Sequence, residues 1–308
     1  MNIKVRRLTR IASASLGFAA MAGSLLGHIV VVFCLFRSWD AVAAVTVFPI
    51  WIWAIFGIAL AGIALLLTRS KLAYFAAAIW IITAVIGADE RRSLARGLSP
   101  TLHGEREKTG SRDAEGQRVV LRIATINSQK RNIDAVREVR RFNPDIVFVQ
   151  EAPPLKPLVD LAKEMWGDEG SAVGAYYCAI LAKGKLDARS AALRDRGICA
   201  MLTLEDGREI EVMSIHLQHA TTRWDLWNPS CWREHRDLHR KRRNQLETLI
   251  ADFETNAAGR ARLFGGDFNA PPTSNLFDAV PDRDANAFGT AGKGLGNTFI
   301  NGFPVLRI

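Results

Sequence analysis

The sequence contains little cysteine, and its four cysteines are scattered along 308 residues. Cys34, Cys178, Cys199 and Cys231 include no C-x-x-C pair, which is the spacing typical of structural zinc sites and redox motifs. Cys34 also lies inside an apolar run, where a cysteine packs as a small hydrophobic residue. The sequence has no internal repeat either. It therefore indicates neither a zinc site, nor a disulfide framework, nor a repeat protein.

Charge is absent from long stretches of residues 1–88, which are mostly apolar. Residues 11–36 and 41–67 contain no Asp, Glu, Lys or Arg, and residues 72–88 form a third, shorter uncharged run. A membrane-spanning helix needs about 20 apolar residues, so the first two runs are long enough and the third is marginal. A cleaved signal peptide would explain only the first run. We predict three transmembrane helices, with the ionisable His28 neutral and bonded to a neighbouring helix rather than functional.

The distribution of positive charge predicts the orientation of these helices. Residues 4–10 contain several Lys and Arg residues, and the second loop contains Arg69 and Lys71. This pattern places both segments in the cytoplasm and the chain after residue 88 outside. Three arginines, Arg91, Arg92 and Arg96, oppose that placement. If the third run does not span, the topology reverses.

Two further regions follow the predicted anchor of residues 1–88. Residues 89–118 are polar and charged without apolar periodicity, which is typical of a linker. Residues 119–308 alternate strand and helix patterns, which predicts an α/β domain. Strands are predicted at residues 119–126, 145–149, 179–181, 198–204, 209–217 and 261–264, and helices at 133–141 and 233–253. Asp206-Gly207 predicts a hairpin between two of these strands.

Polar side chains follow four of the predicted strands where each strand ends. They are Asn127, Glu151, His216, and the pair Asp267 and Asn269. Sites in α/β proteins gather where strand ends meet, and oxygen ligands suit a hard cation such as Mg²⁺ or Mn²⁺. The two residues of the last pair would face one pocket if the backbone stayed extended. Each residue alone is more simply explained as a satisfied structural group, but the set favours one site.

These segments resemble the endonuclease/exonuclease/phosphatase superfamily in order and approximate spacing. The resemblance is carried by residues 121–127 (LRIATIN), 143–151 (NPDIVFVQE), 214–217 (SIHL) and 266–269 (GDFN). It implies a two-sheet α/β sandwich of the deoxyribonuclease-I-like type that hydrolyses phosphate esters with a divalent metal. It further implies that Glu151 holds the metal with help from Asn127, and that His216 contacts the scissile phosphate. Asp267 and Asn269 would orient the nucleophile and the phosphate.

One departure from the family pattern concerns the end of the sequence. Relatives continue after an Arg-Ile pair like Arg307-Ile308 with an Asp and a later Ser-Asp-His, which supplies the usual general base. Both are missing here, and His219, His235 and His239 stand in a different context. We therefore expect a truncated domain that is weak or inactive as it stands, with a sheet edge left unpaired.

Residues 224–243 combine three tryptophans with many basic residues. This pattern suits a nucleic-acid backbone with stacked bases, or anionic headgroups beside a membrane anchor. A solvated helix face whose tryptophans pack on the sheet explains it more simply. The net charge of +9 is consistent with anionic partners but does not choose among them.

Taken together, the sequence predicts a metal-dependent phosphodiesterase or nuclease anchored in a bacterial inner membrane, with its catalytic domain outside the cytoplasm. Its partners would be the lipid bilayer and a phosphate ester, either nucleic acid, phospholipid or a small molecule. A non-catalytic membrane protein that binds phosphate-bearing ligands and a nucleic-acid-binding module remain the alternatives.

Overall fold

The fold is taken from a computed structural model, which describes residues 3–88, 91–98, 120–189, 191–221, 223–257, 259–294 and 296. Most of the predicted linker of residues 89–118, together with the motif end at Arg307-Ile308, therefore lies outside the described residues. Within the linker, residues 91–98 form a short helix rather than an irregular tether.

The N-terminal region is a bundle of helices. The helices are α1 (Ile3–Arg37), α2 (Ala43–Thr46), α3 (Ile50–Thr68), α4 (Lys71–Gly87) and α5 (Arg91–Leu98). Two of them, α1 from Leu8 and α3, are long and apolar enough to cross a membrane. Helices α4 and α5 reach that criterion only as one pair bent by 75°. Two helices thus have the length and composition of membrane spans, and the predicted third requires the bent pair to be one span.

The second span starts at Ile50, nine residues later than the uncharged run of residues 41–67 predicts. Proline has no N–H group and its ring clashes with the preceding turn, so Pro49 cannot lie inside a continuous helix. Residues Asp40–Val42 instead form a 3₁₀ turn, followed by the short α2. These residues form a cap over one end of the bundle.

Small residues let the helices of the bundle approach closely. A Cβ atom on Gly57 would lie 2.0 Å from the indole of Trp80, so this position of α3 requires glycine. Ser24 of α1 donates a hydrogen bond to the Gly57 carbonyl (2.8 Å). His28 lies 2.8 Å from the Thr83 hydroxyl of α4, the neighbouring-helix bond that we expected for it.

The second region contains two four-stranded mixed sheets. Sheet A consists of β1 (Ile123–Asn127), β2 (Ile146–Gln150), β3 (Gly170–Ala175) and β4 (Cys178–Lys183). Its strand order is β1-β2-β4-β3, with β1 and β2 parallel and the other neighbours antiparallel.

Sheet B consists of β5 (Lys185–Arg189), β6 (Gly197–Thr203), β7 (Glu209–His216) and β8 (Ala261–Asp267). It runs in chain order, with β7 and β8 parallel and the remaining neighbours antiparallel. The turn at Asp206-Gly207 joins β6 to β7, as the hairpin prediction required.

The two sheets stack face to face, and helices cover their outer faces. Alternate residues of a strand point to opposite sides, so Phe148 of β2 packs between the sheets while Val147 faces outward. Helices α6 (Ile133–Arg137) and α7 (Leu155–Trp166) cover sheet A, and α8 (Pro229–Ala257) covers sheet B through Leu249 and Phe253. The short α9 (Ala287–Ala291) follows β8. The predicted two-sheet α/β architecture is therefore confirmed.

Several predicted boundaries need correction. Strand β1 begins at Ile123, and residues 120–122 are not part of it. Helix α6 ends at Arg137 and continues as a 3₁₀ turn over Glu138–Phe142, and α8 begins four residues before the predicted Arg233. These shifts leave the polar residues at the strand ends in place.

Candidate active site

The predicted site residues lie at the carboxyl ends of the two parallel strand pairs. Asn127 of β1 pairs in register with Gln150 of β2, and the chain then turns at Glu151. In sheet B, His216 of β7 pairs in register with Asp267 of β8. Parallel strands end on the same edge of a sheet, so each sheet presents two polar groups at one edge.

Hydrogen bonds from Asn127 join the edges of the two sheets. Its Nδ2 donates to Glu151 Oε1 at 3.2 Å and to Asp267 Oδ2 at 3.0 Å. Asp267 is 140 positions away in the sequence. Two carboxylates, one from each sheet, are thus held around one amide group.

Backbone groups hold the Glu151 carboxylate in position. Its Oε2 accepts a hydrogen bond from the Lys130 N–H at 2.7 Å, and its backbone carbonyl accepts one from the Ser128 hydroxyl at 2.8 Å. Glu151 has φ of +49°, which is uncommon for a residue with a side chain and concentrates at functional sites. The turn directs the carboxylate toward the sheet edge.

Asp267 and Asn269 are neighbours for a different reason than their spacing suggested. The backbone is not extended there, because Asn269 has φ of +52° and its N–H donates to Asp267 Oδ1 at 3.0 Å. This is the turn that an Asp side chain stabilises two residues ahead of itself. The Asn269 Nδ2 donates to the Leu217 carbonyl at 3.0 Å, so its side chain holds the end of β7.

Glycine at position 266 allows β8 to end so close to β7. Gly266 has φ of +151°, and a Cβ atom there would lie 1.9 Å from the Ile215 carbonyl oxygen. A side chain at this position would push the two strands apart. The glycine therefore sets the distance between His216 and Asp267.

His216 is the remaining predicted residue, and it is half-buried at the same edge. Among the described residues, its Nδ1 is buried without a hydrogen-bond partner. Burial lowers the pKa of His216, while the negative charges of Asp267 and Glu151 oppose that shift. The imidazole is thus neutral near pH 7, and a bound group would reach its buried Nδ1 only if neighbouring side chains moved.

Two residues that sequence reasoning missed connect the sheets behind the site. Gln150 Nε2 donates to the Ser214 hydroxyl at 3.2 Å, and both residues are buried. Gln150 Oε1 accepts a hydrogen bond from Thr125 at 3.3 Å. The sequence does contain a sign of this bond, because a glutamine at the end of a buried apolar strand needs a buried hydrogen-bond partner.

The other histidines considered as substitutes have different surroundings. His219 Nδ1 lies 2.8 Å from the side-chain nitrogen of Gln218, close enough to His216 to affect its pKa. His235 bonds the Arg223 carbonyl at 3.1 Å. His239 lies between Asp40 and Ser274, at 3.0 Å from each. His239 thus connects the cap of the helical bundle to the loop after β8.

The tryptophans of residues 224–243 do not pack on the sheet, contrary to the simplest expectation. Trp224 stacks on Phe48 with ring centroids 4.2 Å apart, and Trp232 packs against the bundle residues around Ile50 and Trp80. The amino-terminal half of α8 therefore packs on the helical bundle through its apolar side chains.

The groups that could bind a metal ion here are the carboxylates of Glu151 and Asp267 and the side-chain amide of Asn127. Within the described part of the chain, no three or more His, Cys, Asp or Glu side chains are grouped to hold a metal ion. Carboxylate and amide oxygens are nevertheless the groups with which magnesium is held in proteins, usually with several waters. The donor set fits a hard divalent cation with few protein ligands.

The sequence matches the model of the Endonuclease/Exonuclease/phosphatase family over residues 124–308. Among solved structures, TDP2 from C. elegans matches at 18% identity and a TM-score of 0.38, covering 56% of this chain and 54% of that one. ANGEL2, described as a 2',3'-cyclic phosphatase, matches at 19% identity and 0.34, covering 49% and 47%. An endonuclease/exonuclease/phosphatase from Beutenbergia cavernae DSM 12333 matches at 11% and 0.33, covering 52% of each chain.

The chain thus spans about half the length of these structures. A comparison with curated proteins found no match. The family model nevertheless covers more than half of this chain, over the region that contains both sheets and every residue of the site. The chain therefore belongs to the Endonuclease/Exonuclease/phosphatase family.

Proposed function

We propose that the chain is a membrane-anchored, metal-dependent phosphodiesterase or nuclease that hydrolyses its substrate with an activated water. The observation that carries the proposal is the pair of hydrogen bonds from Asn127 to Glu151 and Asp267. Two carboxylates so close to one another repel unless a positive or hydrogen-bonding group lies between them. Such a place is suited to a divalent cation and a phosphate group.

Glu151 is the residue we assign to a cation such as Mg²⁺ or Mn²⁺, with Asn127 assisting. When bound, such a cation would neutralise charge on the phosphate and lower the pKa of water. Asn127 Oδ1 accepts the N–H of Gln129 at 3.0 Å, and its Nδ2 faces the carboxylates. To assist a cation directly, the amide must turn so that its oxygen faces Glu151.

Sheet B supplies the groups that act on water and phosphate. Asp267 would accept a hydrogen bond from the attacking water and orient it toward phosphorus. Neutral His216, with its unpaired Nδ1, would bind a phosphate oxygen as the charge on it grows. Asn269 keeps Asp267 in place through its N–H, and we propose that it orients the phosphate only if its side chain leaves Leu217.

The helical bundle is the proposed membrane anchor, with the bent pair of α4 and α5 as its third span. Gly87 at the end of α4 lies beside Ile50 at the start of α3, so the two helices run antiparallel along their full length. With 19 and 17 residues they are about 28 Å and 26 Å long, close to the roughly 30 Å of a bilayer core. With the N-terminus in the cytoplasm, an odd number of spans would place the catalytic domain on the outer side of a bacterial inner membrane.

The test is hydrolysis of bis(p-nitrophenyl) phosphate by the full chain in lipid nanodiscs, with Mg²⁺ and with a chelator. Glu151→Gln should lower kcat/KM more than about 100-fold, the upper end for residues that act only behind a metal ligand. It should also weaken Mn²⁺ binding measured by electron paramagnetic resonance. Glu138→Gln, a change of an exposed Glu in the turn after α6, should leave both unchanged.

Two results would contradict the proposal. Hydrolysis that persists in chelator, or that Glu151→Gln leaves unchanged, would exclude the proposed role of Glu151. Mn²⁺ binding that depends on Glu151 without any hydrolysis would instead assign the domain to the binding of phosphate-bearing ligands.

A further inference from the structure

Four exposed aromatic side chains surround one end of the helical bundle. We call Phe36, Trp39, Trp224 and Trp227 the aromatic rim, and 85%, 53%, 50% and 85% of their surfaces are exposed. The first two lie at the end of α1. The other two precede α8, and the stacking of Trp224 on Phe48 holds them beside the start of α3. The rim is therefore formed by two segments that are distant in sequence and meet at one level of the bundle.

Helix α8 lies across the same end of the bundle. Trp232 packs against the cluster that contains Cys34 and Ile50. Eleven positions later, Arg243 donates two hydrogen bonds of 2.9 Å to Asp40, which directly follows Trp39. Contacts at both positions hold the amino-terminal half of α8 over the turn between α1 and α3.

Exposed cations line this half of α8. We call Arg233, Arg236 and Arg240 the basic edge, and all three are exposed. At 100° per residue, Arg236 lies one turn from Trp232, and Arg240 lies one turn from Arg243, so both flank the face that contacts the bundle. Asp237 pairs with Arg236 at 3.0 Å and with Arg240 at 3.8 Å, and the edge retains a net positive charge.

We propose that the aromatic rim and the basic edge together bind the anionic phospholipid headgroups of the bilayer around α1 and α3. The proposal rests on the membrane location given under the proposed function. Indole rings favour the boundary between hydrocarbon and water, and Arg and Lys are attracted to anionic lipid at that depth. Nucleic acid is the weaker alternative, because Trp232 packs against the bundle and Phe48 stacks on Trp224, which leaves fewer indole rings for stacking on bases.

This surface has a consequence for the orientation of the domain. A linker alone would leave the domain free to turn, whereas the contacts of Trp232 and Arg243 with the bundle fix α8. The rim and the edge would then hold α8, and with it sheet B, at the headgroup level. The site at the edge of the sheets would then stay at a constant distance from the membrane.

The first test is quenching of tryptophan fluorescence by bromolipid in nanodiscs that contain the full chain. The chain has eight tryptophans, so removing a quenched one lowers the quenched fraction and removing an unquenched one raises it. Trp227→Phe should lower the fraction. Trp166→Phe should raise it, because Trp166 lies on α7, which covers the outer face of the opposite sheet.

The outcomes separate the surface from the membrane location. If the wild-type chain is quenched and Trp227→Phe raises the fraction or leaves it unchanged, the rim is not in the bilayer and this proposal is overturned while the anchor stands. If the wild-type chain shows no quenching, the membrane location fails and this surface fails with it. Hydrolysis is not measured, so an inactive chain does not affect the result.

The second test compares nanodiscs of phosphatidylcholine with nanodiscs that also contain phosphatidylglycerol. The wild-type chain should unfold at a higher temperature in the anionic discs. The triple variant Arg233→Gln, Arg236→Gln, Arg240→Gln should lose that difference. An equal difference in the variant would overturn the role of the basic edge, as would salt-sensitive binding of a single-stranded oligonucleotide that the same variant abolishes.

Discussion

The two sheets contribute to the site in the same topological way but with different chemistry. Each contains one parallel pair, β1 with β2 and β7 with β8, and each pair ends at the site. Their other neighbouring strands run antiparallel, and those pairs contribute no predicted site residue. The comparison teaches that the site is a property of two parallel edges facing each other, so neither sheet alone would contain it.

The chemical difference lies in which polar atoms at each edge already have hydrogen-bond partners. In sheet A, backbone and amide N–H groups already bond both oxygens of Glu151. In sheet B, both oxygens of Asp267 are bonded in the same way, but the half-buried His216 has a buried Nδ1 without a partner among the described residues. An acceptor that is held in place suits a cation, whereas an unpaired neutral imidazole suits an incoming phosphate oxygen. We therefore expect changes in the two sheets to have separable effects.

The largest expected effect is on folding, from Gly266→Ala in sheet B. The new Cβ would lie 1.9 Å from the Ile215 carbonyl oxygen at a φ that residues with side chains rarely adopt. We expect a loss of more than about 3 kcal/mol of unfolding free energy, the upper range for overpacking. Thermal unfolding followed by near-ultraviolet circular dichroism would measure it.

The matched control is Gly174→Ala in sheet A, where a Cβ would meet ordinary contacts of 3.5–3.6 Å. Its effect should stay within about 0.5 kcal/mol. Equal destabilisation by the two variants would show that the approach of β7 and β8 is not set by glycine.

The next largest effect is catalytic, from His216→Gln. Removing a hydrogen-bonding group that acts in the transition state typically costs about 100-fold or more in rate. We expect kcat to fall by about that factor while the affinity for Mn²⁺ stays at the wild-type value. Glu151→Gln, by contrast, should weaken Mn²⁺ binding. Weakened Mn²⁺ binding in His216→Gln would contradict the division of roles between the sheets.

Much of this arrangement was predictable from strands whose burial makes their pattern clear. Residues 146–150 of β2 are all buried, and an uninterrupted apolar run at that length predicts a strand covered on both faces. The polar residue after such a strand stands out because it breaks the run. This is why the sequence indicates Asn127, Glu151, His216 and Asp267 as candidates, and the structure brings them to one edge.

Elements with weak patterns were not predictable. Strand β3 reads Gly-Ser-Ala-Val-Gly-Ala and β5 reads Lys-Leu-Asp-Ala-Arg, and neither has the β-branched alternation of a strand. Both are edge strands that pairing with a neighbour stabilises. The bond from Asn269 Nδ2 to the Leu217 carbonyl and the packing of Trp232 on the bundle depend on contacts between distant segments, which local spacing does not contain.

A smaller effect is expected where the two sheets are joined, from Ser214→Ala. The change removes the partner of Gln150 Nε2 and leaves that buried donor unsatisfied, which costs about 1–3 kcal/mol. Denaturant unfolding would measure the loss. A double-mutant cycle with Gln150→Met tests the cause, because replacing both partners should cost less than the sum of the single changes. Additive losses would mean that the bond does not couple the sheets.

The smallest effect is expected on the outer face of sheet B, from Glu211→Gln. Glu211 is fully buried, and among the described residues neither of its carboxylate oxygens has a hydrogen-bond partner; Arg189 lies 3.6 Å away. Burial raises the pKa of Glu211 above its ordinary value of 4.5, while Arg189 and Arg260 oppose the shift. A carboxyl with a raised folded-state pKa favours the folded chain when protonated. Its contribution is therefore lost as pH rises from 4.5 to the folded-state pKa and stays constant above it.

Glutamine cannot ionise, so the variant should lack this loss and be more stable than the wild type at pH 7 by up to about 1 kcal/mol, the low end for a buried unsatisfied group. The measurement is the difference in unfolding free energy between wild type and variant across that pH range. Exposed Glu209, which pairs with Arg260 at 3.2 Å, is the control on the same strand, and Glu209→Gln should change stability by less than about 0.5 kcal/mol. A wild type whose advantage over Glu211→Gln grows with pH would contradict this and show that Arg189 neutralises the buried carboxylate.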